Sequence, residues 1–298
     1  MSPATDLSSS HRTAAWISVL KKSAKRFAEH DMSTYASALA FQAFFSIFPF
    51  LLFLIALLGF LNLPEFFDWL KVQVAVMVPH QAVDQITKVI EQIESPNAGL
   101  LSLGIGIAIW SASGGIRATM VALNVAYGVE ERRPAWLRIL LSVIYTVGLA
   151  CLLALAGLLF SIGPGAVQWV SRQLGLGTEL ALLWSLLRWP IWLALLALTI
   201  TLIYSLAPNR RQRLRAVLPG ALMSIFTWVA ASIAFNIYLS NFANYSALYG
   251  SIGTIIAILF YFSLTASVLL FGAEVNAVLE QHEKGAVARA RDLDGQAP

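Results

Sequence analysis

Six long apolar runs limit this chain more than any other feature. They cover about residues 37–62, 99–127, 137–163, 180–207, 216–240 and 252–279, and each is long enough for a helix that crosses a bilayer. Such a helix needs roughly 20 mostly apolar residues, and only helices or closed barrels satisfy their backbone hydrogen bonds in hydrocarbon. The runs are continuous rather than alternating, so they predict helices: an all-α, polytopic, six-helix transmembrane bundle. Composition agrees, with 58% hydrophobic and 12% charged residues, the latter about half of what a soluble domain carries.

Charge placement gives the orientation. Sixteen of the twenty lysines and arginines fall in residues 1–36, around Arg132 and Arg133, in "PNRRQRLR", or in the tail with Lys284, Arg289 and Arg291. Lys71, Lys88, Arg172 and Arg188 make up the rest. The positive-inside rule then puts both termini in the cytoplasm. The net charge of +4 reflects this basic rim, which suits anionic headgroups. Nucleic-acid binding would need aromatic interleaving or a recognisable fold, and neither is present. No removable signal peptide is expected.

Two amphipathic regions flank the spans. Residues 12–30 align Trp16, Val19, Leu20 and Phe27 opposite lysines, which predicts a helix lying in the inner interface. Residues 64–97 read as two outer amphipathic helices broken at Pro79, and residues 281–298 as a disordered cytoplasmic tail.

The polar residues within the runs are the candidates for function. Pro49 should kink the first span and free the Phe45 carbonyl, which Ser46 is placed to satisfy. Gln42, one turn below Ser46, makes this either a polar packing face or a cavity wall. On the second span Ser113, Arg117 and Asn124 form one polar stripe; on the sixth, Ser263, Ser267 and Glu274 do so with Asn276 nearby. Arg117 and Glu274 fall at similar depths, roughly 27 and 31 Å from the outer ends at 1.5 Å per residue. Opposite charge at matched depth predicts that they pair, either as a strut between helices or as part of a hydrophilic pocket open to the cytoplasm. Arg188, in "LLWSLLRWPIW", either anchors the outer interface beside tryptophans or is buried. Asn236 places a hydrogen-bonding group near the outer mouth, and Gly250 and Gly253 permit a tight turn or close helix approach there.

The blocks "ASALAFQAFFSIFP", "ALNVAYGVEERRP", "APNRRQRLRAVLPG" and "NYSALYGSIGTIIAILFYFSLTASVLLFGAEVNAVLE" resemble the YihY/BrkB family of bacterial inner-membrane proteins. The resemblance runs from about residue 34 to 280. It implies six helices with cytoplasmic ends, and it marks Arg117, Asn124, Glu131, Arg133, Tyr249, Gly250, Gly272, Glu274 and Asn276 as positions matching the family's polar motifs. It also brings the label ribonuclease BN and, for some members, a suggested role in moving lipid-like or envelope material.

Chemistry weighs between these. Phosphodiester cleavage needs carboxylates or histidines converging on a metal ion, whereas His11, His30, His80 and His282 are scattered and Glu130–Glu131 adjoins Arg132–Arg133. A hydrolase or transferase would need a nucleophile with a base. Cys151 is the only cysteine and lies within an apolar run. No cofactor motif is present, and the glycine-rich phosphate loop of nucleotide-driven pumps is missing. The expectation is therefore a transporter or flippase-like translocator of an anionic amphiphile. The alternative is a non-transporting scaffold in envelope assembly, with 64–97 as its partner surface. Expected partners are membrane lipids, with an envelope protein or a second copy as further possibilities.

Overall fold

The computed structural model describes residues 4–60, 98–161, 179–210, 212–241 and 245–294. Among them there are seven helices and no strand: α1 (Ala4–Glu29), α2 (Met32–Phe60), α3 (Ala98–Ala126), α4 (Ala135–Ser161), α5 (Glu179–Leu206), α6 (Leu214–Asn241) and α7 (Tyr245–Asp294). Six contain a stretch long and apolar enough to cross a membrane: Met32–Leu51, Ser102–Ala126, Ala135–Gly157, Leu186–Leu206, Leu214–Ser240 and Gly253–His282. Large apolar side chains such as Leu186 and Phe226 stand more than 70% exposed on these helices. In water that surface would be an aggregation hazard; against lipid it is the ordinary exterior of a membrane protein. The outer segment 64–97 lies outside the described residues.

The chain forms two compact units, one of residues 1–40 and 116–298, the other of residues 41–115. In the first, α7 packs along α6 and α1, and α5 packs against α4 and α6. Its core includes the fully buried Met32, Met120, Leu123, Tyr204, Val217 and Leu270, interleaved with alanines that let the backbones approach.

Local sequence explains the turns. Asp31, at φ 55°, links α1 to α2, and its carbonyl accepts the Thr34 amide at 3.0 Å. Aspartate is among the few residues that tolerate this left-handed conformation. Gly128, at φ 62°, ends α3. The Val129 amide reaches the Asn124 carbonyl at 2.8 Å and the Gly128 amide the Val125 carbonyl at 3.0 Å, a Schellman cap. The Pro134 carbonyl then accepts the Leu137 and Arg138 amides to start α4.

Several expectations change. Helix α1 does not simply lie on a lipid surface. Val19 is buried against Val275 and Val278, and the Phe27 ring meets Phe271 edge-on at 6.3 Å. The apolar stripe read as lipid-facing thus covers α7, leaving Trp16 and Ile17 exposed. The tail expected to be disordered continues α7 to Asp294. Its Glu, Gln, Lys, Ala and Arg residues favour helix, and Lys284 pairs with Glu280 one turn away at 2.8 Å. Gly250 and Gly253 sit inside α7 and form no turn, and Gly253 is buried.

Candidate functional site

In the second unit, the polar residues of α2 join it to α3. Gln42 Nε2 donates to the Ser111 carbonyl at 2.9 Å, and the Ser46 and Ser111 hydroxyls lie 3.2 Å apart. Ser46 Oγ donates to the Gln42 carbonyl at 2.7 Å, not to that of Phe45. Helix α2 runs through Pro49. Ser113 is buried and donates to the Trp110 carbonyl within its own helix. The contacts of Gln42 and Ser46 are those of a packing face.

In the first unit, the connection at 127–134, residues 207–210, the end of α1 and the part of α7 around Glu274 converge at one basic end. Glu274 lies there, fully buried, but its partners are not the expected one. Arg26 Nε donates to Oε2 at 2.8 Å, and His30 Nδ1 meets Oε1 at 2.5 Å. Arg117 instead donates from Nη1 to Ser142 Oγ at 3.2 Å. The expected Arg117–Glu274 pair gives way because α1 docks on α7 and carries Arg26 and His30, one helical turn apart, to the carboxylate. Depth along the spans fixed height, but not which neighbouring helix supplied the counter-charge. Arg26 Nη2 also donates to the Ala126 carbonyl at 2.8 Å. A cation thereby sits on the last turn of α3, where the helix dipole favours one.

A second polar group ties the two connections together. Asn124 Nδ2 donates to Glu131 Oε2 at 2.9 Å, and Asn124 Oδ1 accepts the Asn209 amide at 2.7 Å. Arg133 grips Glu131 through Nε and Nη2, both at 2.9 Å, and Nη2 also reaches the Ala207 carbonyl past the end of α5. The Arg133 guanidinium, followed by the Arg133 amide and Asn124, holds the Glu131 carboxyl below the usual carboxylate range.

The third group is a close crossing of α6 and α7. A Cβ on Gly272 would lie 1.9 Å from Ser224 Oγ and 2.6 Å from the Gly220 carbonyl; one on Gly220 would lie 2.3 Å from the Gly272 carbonyl. Only glycine fits at either position. Asn276 spans the gap beside Pro219, accepting the Gly220 amide at 2.7 Å and donating to the Val217 carbonyl at 2.9 Å. Tyr204 Oη donates to the Leu269 carbonyl at 2.5 Å and accepts from Ser224 at 2.7 Å.

Near Arg117 the helices separate. A partly open cavity of about 290 Å³ is lined on α3 by Ile116 and Thr119, on α4 by Ile144, Tyr145, Gly148 and Leu149, and on α5 by Leu202, Ile203 and Leu206, with Ala207 beyond its end. Its wall is almost wholly apolar. Ser142, which holds Arg117, is buried on α4 one turn before Tyr145. A Cβ on Gly148 would meet nothing within 4 Å, so a side chain there would project into open space. Were the cavity sealed and empty, its volume would cost on the order of 7 kcal/mol at ~24 cal/mol per Å³.

Other candidates fall elsewhere. Arg188 is half-buried near the start of its span, its guanidinium 5.7 Å from the Trp189 ring centroid. Asn236 is exposed on α6, away from these polar groups. Sequence reading missed Arg26, His30, Gly220, Tyr204 and Asn209. The i, i+4 spacing of Arg26 and His30 at the end of an amphipathic helix was an available signal for the first two. Among the described residues no three His, Cys, Asp or Glu side chains are grouped so as to hold a metal ion.

Comparison with known proteins is consistent across the chain. The family model described as Virulence factor BrkB matches residues 23–295. The ribonuclease-like protein YfkH of Bacillus subtilis (strain 168) is 34% identical over 269 residues, covering 90% of this chain and 97% of its own. A UPF0761 membrane protein of Aeromonas salmonicida is 27% identical, covering 87% of this chain and 88% of its own. The UPF0761 membrane protein NTHI0384 of Haemophilus influenzae is 23% identical, covering 86% and 93%. No solved structure matches the chain.

Proposed function

The chain belongs to the BrkB family and is an integral membrane protein, and from that premise we propose that it binds an anionic amphiphile and translocates it across a bacterial inner membrane. The observation that carries this reading is the apolar cavity between α3, α4 and α5, set beside the Arg117–Ser142 contact. Part of an acyl chain suits the cavity's size and polarity, and the guanidinium of Arg117, next in sequence to the lining residue Ile116, would suit an anionic headgroup. An arginine within a span is costly unless protein, water or a ligand surrounds its charge. The excess of lysine and arginine at one end supports an orientation with both termini in the cytoplasm.

Proteoliposomes carrying a fluorescent anionic lipid test the reading by the rate at which the outer-leaflet probe becomes protected from, or exposed to, a membrane-impermeant quencher. Wild-type protein should raise that rate above protein-free vesicles. Gly148→Leu, whose Cβ meets nothing within 4 Å, places a bulky side chain in this space and should lose most of the increase while keeping the wild-type melting temperature. Arg117→Gln should lose it for anionic but not for zwitterionic probes. A rate equal to that of empty vesicles, or full activity in Gly148→Leu, would refute translocation and leave the scaffold role.

A further inference from the structure

Arg138 lies in the first turn of α4, on the helix face that leads to the apolar cavity. Arg138, Ser142, Tyr145 and Leu149 follow one another at spacings of four, three and four, which aligns them along one side of α4. Tyr145 and Leu149 line the cavity, and Ser142 Oγ receives the Arg117 guanidinium at 3.2 Å. Arg138 is partly buried, and among the described residues its guanidinium meets no acceptor. Arg213 and Arg215 meet none either, but they stand exposed.

Neither burial nor helix formation favours an arginine at this position. A partly buried guanidinium gives up water without gaining an anion, and a cation in a first turn opposes the helix dipole, which favours negative charge there. A bound anion would reverse both penalties. Depth narrows the kind of anion. Arg138 is the fourth residue of α4, and the cavity residues Leu202, Ile203 and Leu206 fall within the last five of α5, so arginine and cavity share the basic end of the bundle. Tyr145 lies seven residues beyond Arg138, about 10 Å at 1.5 Å per residue. The headgroup layer of a bilayer is roughly 5–8 Å thick on each side. A headgroup at Arg138 therefore carries the first part of its chain to the level of Tyr145.

We propose that Arg138 is the headgroup contact for an anionic amphiphile of the leaflet at the basic end, whose acyl chain enters the apolar cavity; this rests on the amphiphile-binding function proposed above. The guanidinium recognises a phosphodiester or carboxylate oxygen, chemistry offered by a phospholipid and a fatty acid alike. Arg117, held one turn deeper at Ser142, is the next cation that headgroup meets.

The full chain in a neutral detergent is titrated with phosphatidylglycerol, oleate or phosphatidylcholine, and retained lipid is counted by native mass spectrometry, which requires no translocation. Wild type should hold at least one of the two anionic lipids more tightly than phosphatidylcholine, and the one held identifies the headgroup. For that lipid, Arg138→Gln should weaken binding about tenfold, the worth of one charge-assisted hydrogen bond. Its phosphatidylcholine binding and lipid-free melting temperature should match wild type; Arg138→Met takes its place if it fails to fold. Arg138→Lys, which keeps the charge, should lose less than about threefold. Arg132→Gln, at an exposed arginine of the preceding connection, should bind as wild type does. In a Gly148→Leu background the effect of Arg138→Gln should shrink to about twofold or less, because one molecule occupies both places. No preference for either anionic lipid, wild-type binding in Arg138→Gln, an equal loss in Arg132→Gln, or a tenfold loss that persists beside Gly148→Leu would overturn the proposal. Binding with this pattern in a protein that moves no probe across proteoliposomes would sink translocation alone. Wild-type binding in Arg138→Gln with translocation intact would sink the Arg138 contact alone.

Discussion

Removing the charge of Glu274 tests how α1 is held. The carboxylate is fully buried and both oxygens are engaged, by Arg26 at 2.8 Å and His30 at 2.5 Å. Its main partner is nearly as enclosed, with the Arg26 side chain 15% exposed. Charge-assisted hydrogen bonds contribute ~1.5–3 kcal/mol, against ~0.5–1.5 for neutral ones. Glu274→Gln keeps the shape and one acceptor, so it should cost about 2–3 kcal/mol. Glu274→Leu strands a buried guanidinium and should cost about 3–5 kcal/mol. Pairing Glu274→Leu with Arg26→Met removes both charges together. That double variant should be less destabilised than the sum of the singles by about 2 kcal/mol or more. Unfolding in mixed micelles with a denaturing detergent, followed by tryptophan fluorescence, measures all four corners of the cycle. Proteolysis of α1 reports separately whether the helix has come loose. A cost below about 1 kcal/mol for Glu274→Leu, or additivity within about 0.5 kcal/mol, would refute the buried-pair reasoning.

Gly272→Ala should destabilise by at least about 1–3 kcal/mol, as overpacking against the Gly220 backbone. Gly148→Ala, with open space around its Cβ, should be neutral or stabilising by up to about 1 kcal/mol; melting temperatures of the two variants check the contrast. Asn276→Leu leaves the Gly220 amide and Val217 carbonyl without their partner and should cost about 2–3 kcal/mol in the same unfolding assay. Glu131 has a depressed folded pKa, so its contribution is fully present above its unfolded value near 4.5 and is lost as pH falls through the folded value. An acid melting series should therefore be flatter below pH 4.5 in Glu131→Gln than in wild type; identical slopes would contradict this.

The spans were legible because hydrophobic length is a local property, and their order needs no tertiary information. Helices α2 to α6 match the apolar runs to within about five residues, whereas α7 extends well beyond 252–279 at both ends. The residues of the buried network were legible as well. Glu274, Asn276, Asn124 and Gly272 are conspicuous in apolar surroundings, and burial there demands a protein partner. What the sequence could not supply was the choice among partners. Arg117 and Glu274 have matching depth, but matching depth is shared by every helix that crosses the membrane. The docking of α1 decides it, through Val19 and Phe27 on the same helix face that carries Arg26. Gly220 passed unnoticed because its constraint comes from Gly272 and Asn276, more than fifty residues later. The apolar cavity was equally hidden, since a gap between Leu, Ile and Gly side chains reads in sequence as any other packed surface.

The most direct test of the amphiphile-binding account is photocrosslinking with an anionic lipid whose acyl chain carries a diazirine, mapped by peptide mass spectrometry in reconstituted wild-type protein and Gly148→Leu. The account expects adducts on Tyr145, Leu149, Leu202 and Ile203 that disappear in Gly148→Leu, while adducts on the outward-facing Trp136 and Leu140 persist. Adducts confined to the outward-facing residues in wild type, or cavity adducts unchanged by Gly148→Leu, would contradict it.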